Sequence, residues 1–369
     1  MKRSFTLPRT IKLTALFYVL AIGGILTFDA CHKSASCPDK TKQTDPSVSK
    51  NTPASVIQIT QSKSETSILT VAAIRKSGDG NSTEVMFNER AQLFSLTDAT
   101  IIATLQTALA NHTSISVTTN PWSGTVLQVN ALSQRDATEH SSRVTVSSPC
   151  TATRIDFSSM TDETVNNIAG IAVLNTTVTD SLTAVIPDMA SAQIIFDYIT
   201  HQCCALPGPY AIDYCIPFQY CEDGCYARAH KMCWILNTKY NYATHKVFSF
   251  ANAGSDELCV KGEKWGGCCV NWWYHVAPLV NIKTAKGVQA YVFDPAMFDQ
   301  PVLLSAWLHA QQNPACLPSG DAAHVSMINI QPTTSYSPSD YTGYDFDTDP
   351  TFYYTDGTLT SYRPLTTCP

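Results

Sequence analysis

Three residues of this chain have the side chains needed for nucleophilic attack on an amide: Cys225, His275 and Asp294. A thiolate attacks, an imidazole takes and returns the proton, and a carboxylate holds that imidazole in one orientation. Cys225 lies in the run Glu222-Asp223-Gly224-Cys225-Tyr226-Ala227-Arg228-Ala229-His230-Lys231-Met232-Cys233-Trp234-Ile235-Leu236. Ala229, Met232, Cys233 and Leu236 recur at helical spacing, so a buried helix is expected to begin here, with Asp223 as N-cap and Gly224 permitting close approach. Cys225 then sits in the first turn, where unpaired N–H groups favour thiolate over thiol. The same groups can receive a developing oxyanion. The competing reading makes Cys225 one more half-cystine, joined to Cys221 or Cys233.

Of the nine histidines, His275 stands apart. It lies in Val270-Asn271-Trp272-Trp273-Tyr274-His275-Val276-Ala277-Pro278-Leu279-Val280, an aromatic and β-branched run that reads as a core strand. A buried histidine needs a partner. Lys283 to Gly287 reads as a turn, and Val288 to Phe293 as the returning strand, ending in Asp294-Pro295. With the turn centred near Ala285 and Lys286, residue 275 faces about 296, one diagonal step from Asp294. Without that pairing, His275 is a core histidine satisfied elsewhere and Asp294 an ordinary residue before proline. A helix-start Cys, a strand His and an Asp on the neighbouring strand follow the chain order of papain-like and transglutaminase-like thiol enzymes.

The elements that must position these residues occupy the second half of the chain. With 369 residues there is enough length for two domains. A net charge of −6 and a pI near 5.8 exclude a phosphate-neutralising surface, and nucleic acid is set aside. Basic residues before an apolar stretch from Leu13 to Leu26 read as an export signal over 1–31. Its end at Ala30-Cys31 leaves lipidation of Cys31, plain secretion or an uncleaved anchor open. Residues 32–55 are polar and read as a disordered tether. Residues 56–135 read as a small α+β domain. Its strands are Val56 to Thr60, Ile68 to Ile74, Val85 to Leu96, Ser114 to Thr119 and Thr125 to Val129. Its one helix carries Ile101, Ile102, Leu105, Ala108 and Leu109 on one face, capped by Thr97 or Asp98. Residues 136–181 read as a connector. Residues 182–369 hold eleven of the fourteen cysteines and five of the six tryptophans, and are expected to form a disulfide-rich domain opening with a helix over 187–202 that presents Ile194, Ile195, Tyr198 and Ile199. Setting Cys31 aside leaves thirteen cysteines, an odd number, so one thiol should stay free. No Cys-x2-Cys pair offers a structural zinc site.

Asp223 to Met232, Cys268-Cys269-Val270 with Trp272 and Tyr274-His275-Val276-Ala277, and Asp294-Pro295 closely resemble the bacterial protein-glutaminase family. Leu182 to Asp188 resembles the start of the mature enzyme. The resemblance implies a small α+β pro-domain followed by a papain/transglutaminase-like cysteine hydrolase domain with an antiparallel sheet. It implies hydrolysis of glutamine side chains in proteins or peptides, with Cys225 as nucleophile, His275 as acid and base, and Asp294 holding the imidazole. Tyr226, Trp272, Trp273 and Tyr274 would line the cleft. No metal or organic cofactor is required. The expected partners are substrates bearing accessible glutamine and an activating protease. Family members are made with a pro-region, and Ala91-Gln92-Leu93-Phe94 falls in its strand, with Gln92 expected near Cys225 as a substrate mimic until cleavage in the connector. The alternative for 56–135 is a separate solubilising domain. The alternatives for the whole are a papain-like protease, a transglutaminase-like acyl transferase, or an inactive disulfide-stapled binding module on the cell surface.

Overall fold

Alternating burial along the first strands sets the architecture of the N-terminal part. The computed structural model describes residues 64–78, 80–121, 123–143, 153–156, 159–167, 182–204, 215–265, 267–317, 322–339 and 345–365, all within one compact unit. The expected export segment with Cys31, the tether and the strand over 56–60 lie outside the described residues, as does most of the connector. Strands β1 (Glu65–Lys76), β2 (Thr83–Phe87) and β3 (Arg90–Leu96) precede helix α1 (Ala99–Asn111), β4 (Ser114–Asn120) and β5 (Thr125–Asn130). The run expected as one strand over 85–96 is a hairpin, turning at Asn88 and Glu89. The side chain of Asp98 caps α1, accepting from the Thr100 and Ile101 N–H groups at 2.7 and 3.1 Å. Leu105 and Ala108 of α1 are buried with Leu69, Val71, Val85, Phe87 and Phe94 in a core of their own.

Helix α2 (Gln134–Arg143) straddles the expected boundary at 135, and strand β6 (Thr153–Asp156) falls within the expected connector. β6 is no linker: it pairs antiparallel with a strand near the C-terminus, from Met327↔Asp156 to Ile330↔Thr153. Helix α3 (Met189–Thr200) starts at Asp188, whose carboxylate accepts from the Ser191 N–H at 2.7 Å. It buries Ala192, Ile195, Phe196 and Ile199 on one face and leaves Ile194 68% exposed, outside that face.

The rest comprises α4 (Cys225–Thr238), β7 (His245–Phe250), β8 (Asp256–Gly262), β9 (Cys268–Trp272), β10 (Tyr274–Thr284), β11 (Gly287–Val292), β12 (Val302–Leu303), α5 (Leu304–Ala310), β13 (Ala322–Ala323), β14 (Met327–Pro332), β15 (Ser335–Pro338), β16 (Phe346–Thr348) and α6 (Tyr353–Tyr362). Two large sheets result, with strand orders β13-β8-β9-β3-β2-β1-β4-β5 and β12-β11-β10-β7-β14-β6. Nearly all pairings are antiparallel. The fold is α+β, with disulfides Cys204–Cys215 and Cys269–Cys316, and Cys268 is disulfide-bonded as well.

The run expected as one strand over 270–280 is two. β9 ends at Trp272 in the first sheet and β10 begins at Tyr274 in the second, so the chain changes sheets at Trp273. β3 of the N-terminal part joins the first sheet by pairing with β9, Gln92 opposite Trp272. β10 is buried over its first nine residues, between its neighbours β7 and β11 and beneath α4. Among the described residues no helix is long and apolar enough to cross a membrane.

Candidate active site

Helix α4 begins at Cys225, and its N-cap is Gly224, not Asp223. Gly224 has φ +82°, and a Cβ there would lie 2.7 Å from the Tyr362 ring, so both backbone and packing require glycine. Asp223 is turned to other work, described below. Cys225 is 2% exposed and carries a free thiol, so the half-cystine reading does not hold. Cys233, two turns along α4, is a second free thiol where the cysteine count led to one. The Cys225 sulfur accepts a hydrogen bond from the N–H of Val276, which brings it beside the backbone of β10 next to His275.

The expected lowering of the Cys225 pKa is absent. Burial raises it well above the ordinary thiol value; Arg228 and the Val276 N–H pull the other way, while the carboxylates of Asp223 and Asp294 add to the rise. Desolvation outweighs the partial charge of the helix end because water is excluded from the sulfur.

The hairpin has the expected register. The ladder runs from Thr284↔Gly287 to Leu279↔Val292 and ends before residue 275, and the returning chain turns at Asp294. His275 Nε2 and Asp294 Oδ2 are 2.8 Å apart, both residues buried. Burial alone would raise the Asp294 carboxyl, but the charge and hydrogen bond of His275, with a bond from Trp307, hold it below the usual carboxylate value. That bond, Trp307 Nε1 to Asp294 Oδ2, is 2.9 Å long. The ionised Asp294 accepts from Nε2–H, which leaves the lone pair on Nδ1. Nδ1 is buried and has no hydrogen-bond partner. Two indoles flank the ring: Trp272 stacks at 4.4 Å between centroids and Trp307 at 5.4 Å.

Ala91, Cys225, Tyr226, Trp272, Trp273 and Tyr274 share one buried cluster. Ala91 is thus buried in the core that holds Cys225, whereas the Gln92 side chain is not part of it. Side chains alternate along a strand, and the Gln92 amide turns away, donating to the Pro121 carbonyl at 3.3 Å and packing against Gly124. The backbone of β3 is held by the site itself. The Ala91 N–H donates to Asp223 Oδ1 at 2.8 Å, the Ala91 carbonyl accepts from the Trp273 N–H at 3.2 Å, and the Arg90 carbonyl accepts from Trp273 Nε1 at 2.6 Å. Tyr226 donates its hydroxyl to Asp223 Oδ2 at 3.0 Å. The Tyr274 hydroxyl is buried and has no partner.

Sequence reasoning missed Trp307, Arg228 and the role of Asp223. Arg228, buried on α4, donates to the carbonyls of Tyr220 and Asp223 at 2.9 and 2.7 Å and so braces the loop that leads into Cys225. A buried indole or guanidinium must find an acceptor, but which one it finds depends on which loop arrives there. Among the described residues no group of three or more His, Cys, Asp or Glu is arranged to hold a metal ion.

A family model described as Glutaminase matches residues 192–311, which include Cys225, His275 and Asp294. No curated protein matches the chain. The structure is similar to a crystal structure of pro-protein-glutaminase, with 27% identity, a TM-score of 0.59, and coverage of 82% of this chain and 93% of that one. A mutant of pro-protein-glutaminase gives the same identity, coverage and TM-score. Protein-glutaminase from Chryseobacterium proteolyticum is 36% identical over 51% of this chain and 93% of its own, with a TM-score of 0.42. The family match covers the cysteine, histidine and aspartate, and the likeness to the pro-form covers 82% of this chain, so the chain belongs to the protein-glutaminase family.

Proposed function

We propose that this protein is a zymogen of a thiol amidohydrolase that converts glutamine side chains in proteins and peptides to glutamate and ammonia. One observation carries the reading. The Cys225 sulfur lies at the N–H of Val276, the residue after His275, whose Nε2 is bound to Asp294 and whose Nδ1 is left without a partner.

In the reaction Nδ1 of His275 takes the Cys225 proton, and the thiolate bonds to the carboxamide carbon. The open N–H groups at the start of α4 stabilise the oxyanion. The carbon–nitrogen bond breaks as His275 returns the proton to the leaving ammonia, leaving a thioester. Water, deprotonated by His275, attacks the thioester; the carbon–sulfur bond breaks and glutamate is released. Trp272 and Trp307 hold the ring in plane, and Asp294 fixes its tautomer.

Residues of β1 to β5 act as the cover. β3 lies along β9 with the Ala91 backbone bonded to Asp223 and Trp273, as a substrate backbone would be. An activating protease cuts between this part and α3, within 136–181, after export through the N-terminal segment, with Cys31 lipidated in the precursor or not. The test is to treat the full chain with a protease, then supply a protein and a peptide that contain glutamine. Ammonia release and conversion of Gln to Glu by mass, absent before treatment, are expected. Two shorter peptides would mean a protease, an amine adduct an acyl transferase, and no change a binding module. Equal rates before and after treatment would sink the covering role.

A further inference from the structure

The reading of β3 as a substrate-like strand extends to the residue before Ala91. Arg90 reaches from β3 into the catalytic part, where Nη1 lies 3.1 Å from Asp223 Oδ2 and also bonds the Tyr362 hydroxyl. Its guanidinium carbon lies 5.7 Å from the centre of the Tyr362 ring, a cation–π distance. Tyr362 donates in turn to Asp223 Oδ2 at 2.7 Å. Asp223 is 1% exposed, and among the described residues its one salt bridge is with Arg90. The other charged partner of Arg90, Glu65, at 2.9 Å, belongs to the cover. Processing therefore removes the one cation that, among the described residues, is paired with a carboxylate two residues from Cys225. A buried carboxylate without a counter-charge is costly, so the vacated site favours another cation.

We propose that Asp223 and Tyr362 form a subsite on the processed enzyme for a basic side chain, arginine or lysine, directly N-terminal to the target glutamine. The target takes the place of Ala91, its N–H donating to Asp223 Oδ1, so one carboxylate reads both the backbone of the target and the charge of its predecessor. The proposal rests on the amidohydrolase reading above. It adds a sequence preference that the reading alone does not contain. A bound cation also offsets the negative charge of Asp223, one of the groups holding the Cys225 thiol protonated, so occupancy of the subsite favours the thiolate.

The test uses the full chain after protease treatment and four peptides blocked at both ends. Three differ only in the residue before glutamine, which is Arg, Ala or Glu; the fourth has Ala there and Arg moved to the following position. The proposal expects kcat/KM for the Arg peptide to exceed that for Ala by about tenfold, the scale of a charge-assisted hydrogen bond. The Glu peptide should be slowest, and the moved-Arg peptide should match Ala. In Asp223→Asn the ratio of Arg to Ala should fall towards one. Should that variant fail to fold, the ranking in the unaltered enzyme decides alone. Equal kcat/KM for the Arg, Ala and Glu peptides overturns the subsite while leaving deamidation intact, and so does a moved-Arg peptide as fast as the Arg one. Deamidation of none of the four overturns the underlying reading and the subsite with it.

Discussion

The imidazole of His275 is held on three sides and open on the fourth. Trp272 and Trp307 stack on its faces, Asp294 binds Nε2, and Nδ1 meets no acceptor or donor. A buried, unsatisfied nitrogen costs about 1–3 kcal/mol, a cost that a site for proton transfer accepts and a packing histidine avoids. Cys225→Ala and His275→Ala are expected to lower kcat of the processed enzyme by about a thousandfold or more, with the thermal unfolding midpoint of Cys225→Ala near that of the parent; turnover retained in either variant rules out the assignment. The Asp294 carboxyl is held below its ordinary value. Its contribution to stability is therefore fully present above the unfolded carboxylate pKa and is lost as pH falls through the lower, folded one. Trp307→Phe deletes one of the bonds that hold it down. The acid limb of both kcat and stability should then move to higher pH, read from a pH–rate profile beside an acid melt. Thiol labelling tests the burial of Cys225. In the intact chain at about pH 8, near the ordinary thiol value, iodoacetamide should modify it very slowly. Processing should accelerate that reaction, while Cys233, whose thiol burial also raises, stays unlabelled. Rapid labelling of Cys225 in the intact chain would contradict the covered geometry.

At the level of elements, the site sits where the chain leaves one sheet for the other. β9 ends at Trp272, β10 starts at Tyr274, and the corner residue Trp273 supplies both backbone and indole N–H groups to β3. β3 is thus an added strand, bound chiefly by main-chain hydrogen bonds, as extended peptides bind to exposed sheet edges. Ala91 is fully buried and its carbonyl is bonded to the Trp273 N–H. Ala91→Trp forces a large ring into that space, and overpacking costs about 1–3 kcal/mol. The intact variant is expected to show measurable deamidation without protease, assayed as ammonia release. An intact Ala91→Trp chain as silent as the parent would mean that β3 does not seal the cleft.

For the whole molecule, the segment beyond Cys316 is part of the catalytic body. β14 lies beside β7 in the second sheet, α6 packs on α4, and Tyr362 closes over Gly224 and Asp223. The Cys269–Cys316 disulfide ties β9 to the start of this segment across 47 residues. A loop of that size predicts about 4 kcal/mol of stabilisation from the unfolded chain's lost freedom. Replacing both cysteines by serine should lower the thermal midpoint by several degrees while leaving kcat near that of the parent at low temperature. An unchanged midpoint would place the stability elsewhere. β6, read from composition as linker, is instead an edge strand of the catalytic sheet, because a short segment can gain a full ladder from a neighbour that its own sequence does not announce.

Local pattern determined a good deal. The helix starting at Cys225, the hairpin register that carries His275 towards Asp294, and the Asp98 cap follow from spacing, turn length and side-chain chemistry within a few residues. Tertiary structure decided what depends on distant segments meeting. Asp223 serves Arg90, Ala91, Tyr226 and Tyr362 instead of capping its own helix, Trp307 binds Asp294, and the Gln92 amide turns to the Pro121 carbonyl. The Cys225 thiol illustrates the division. Its position at a helix start is a local property that favours the thiolate, whereas the rise of its pKa comes from burial in a core assembled from distant parts of the chain.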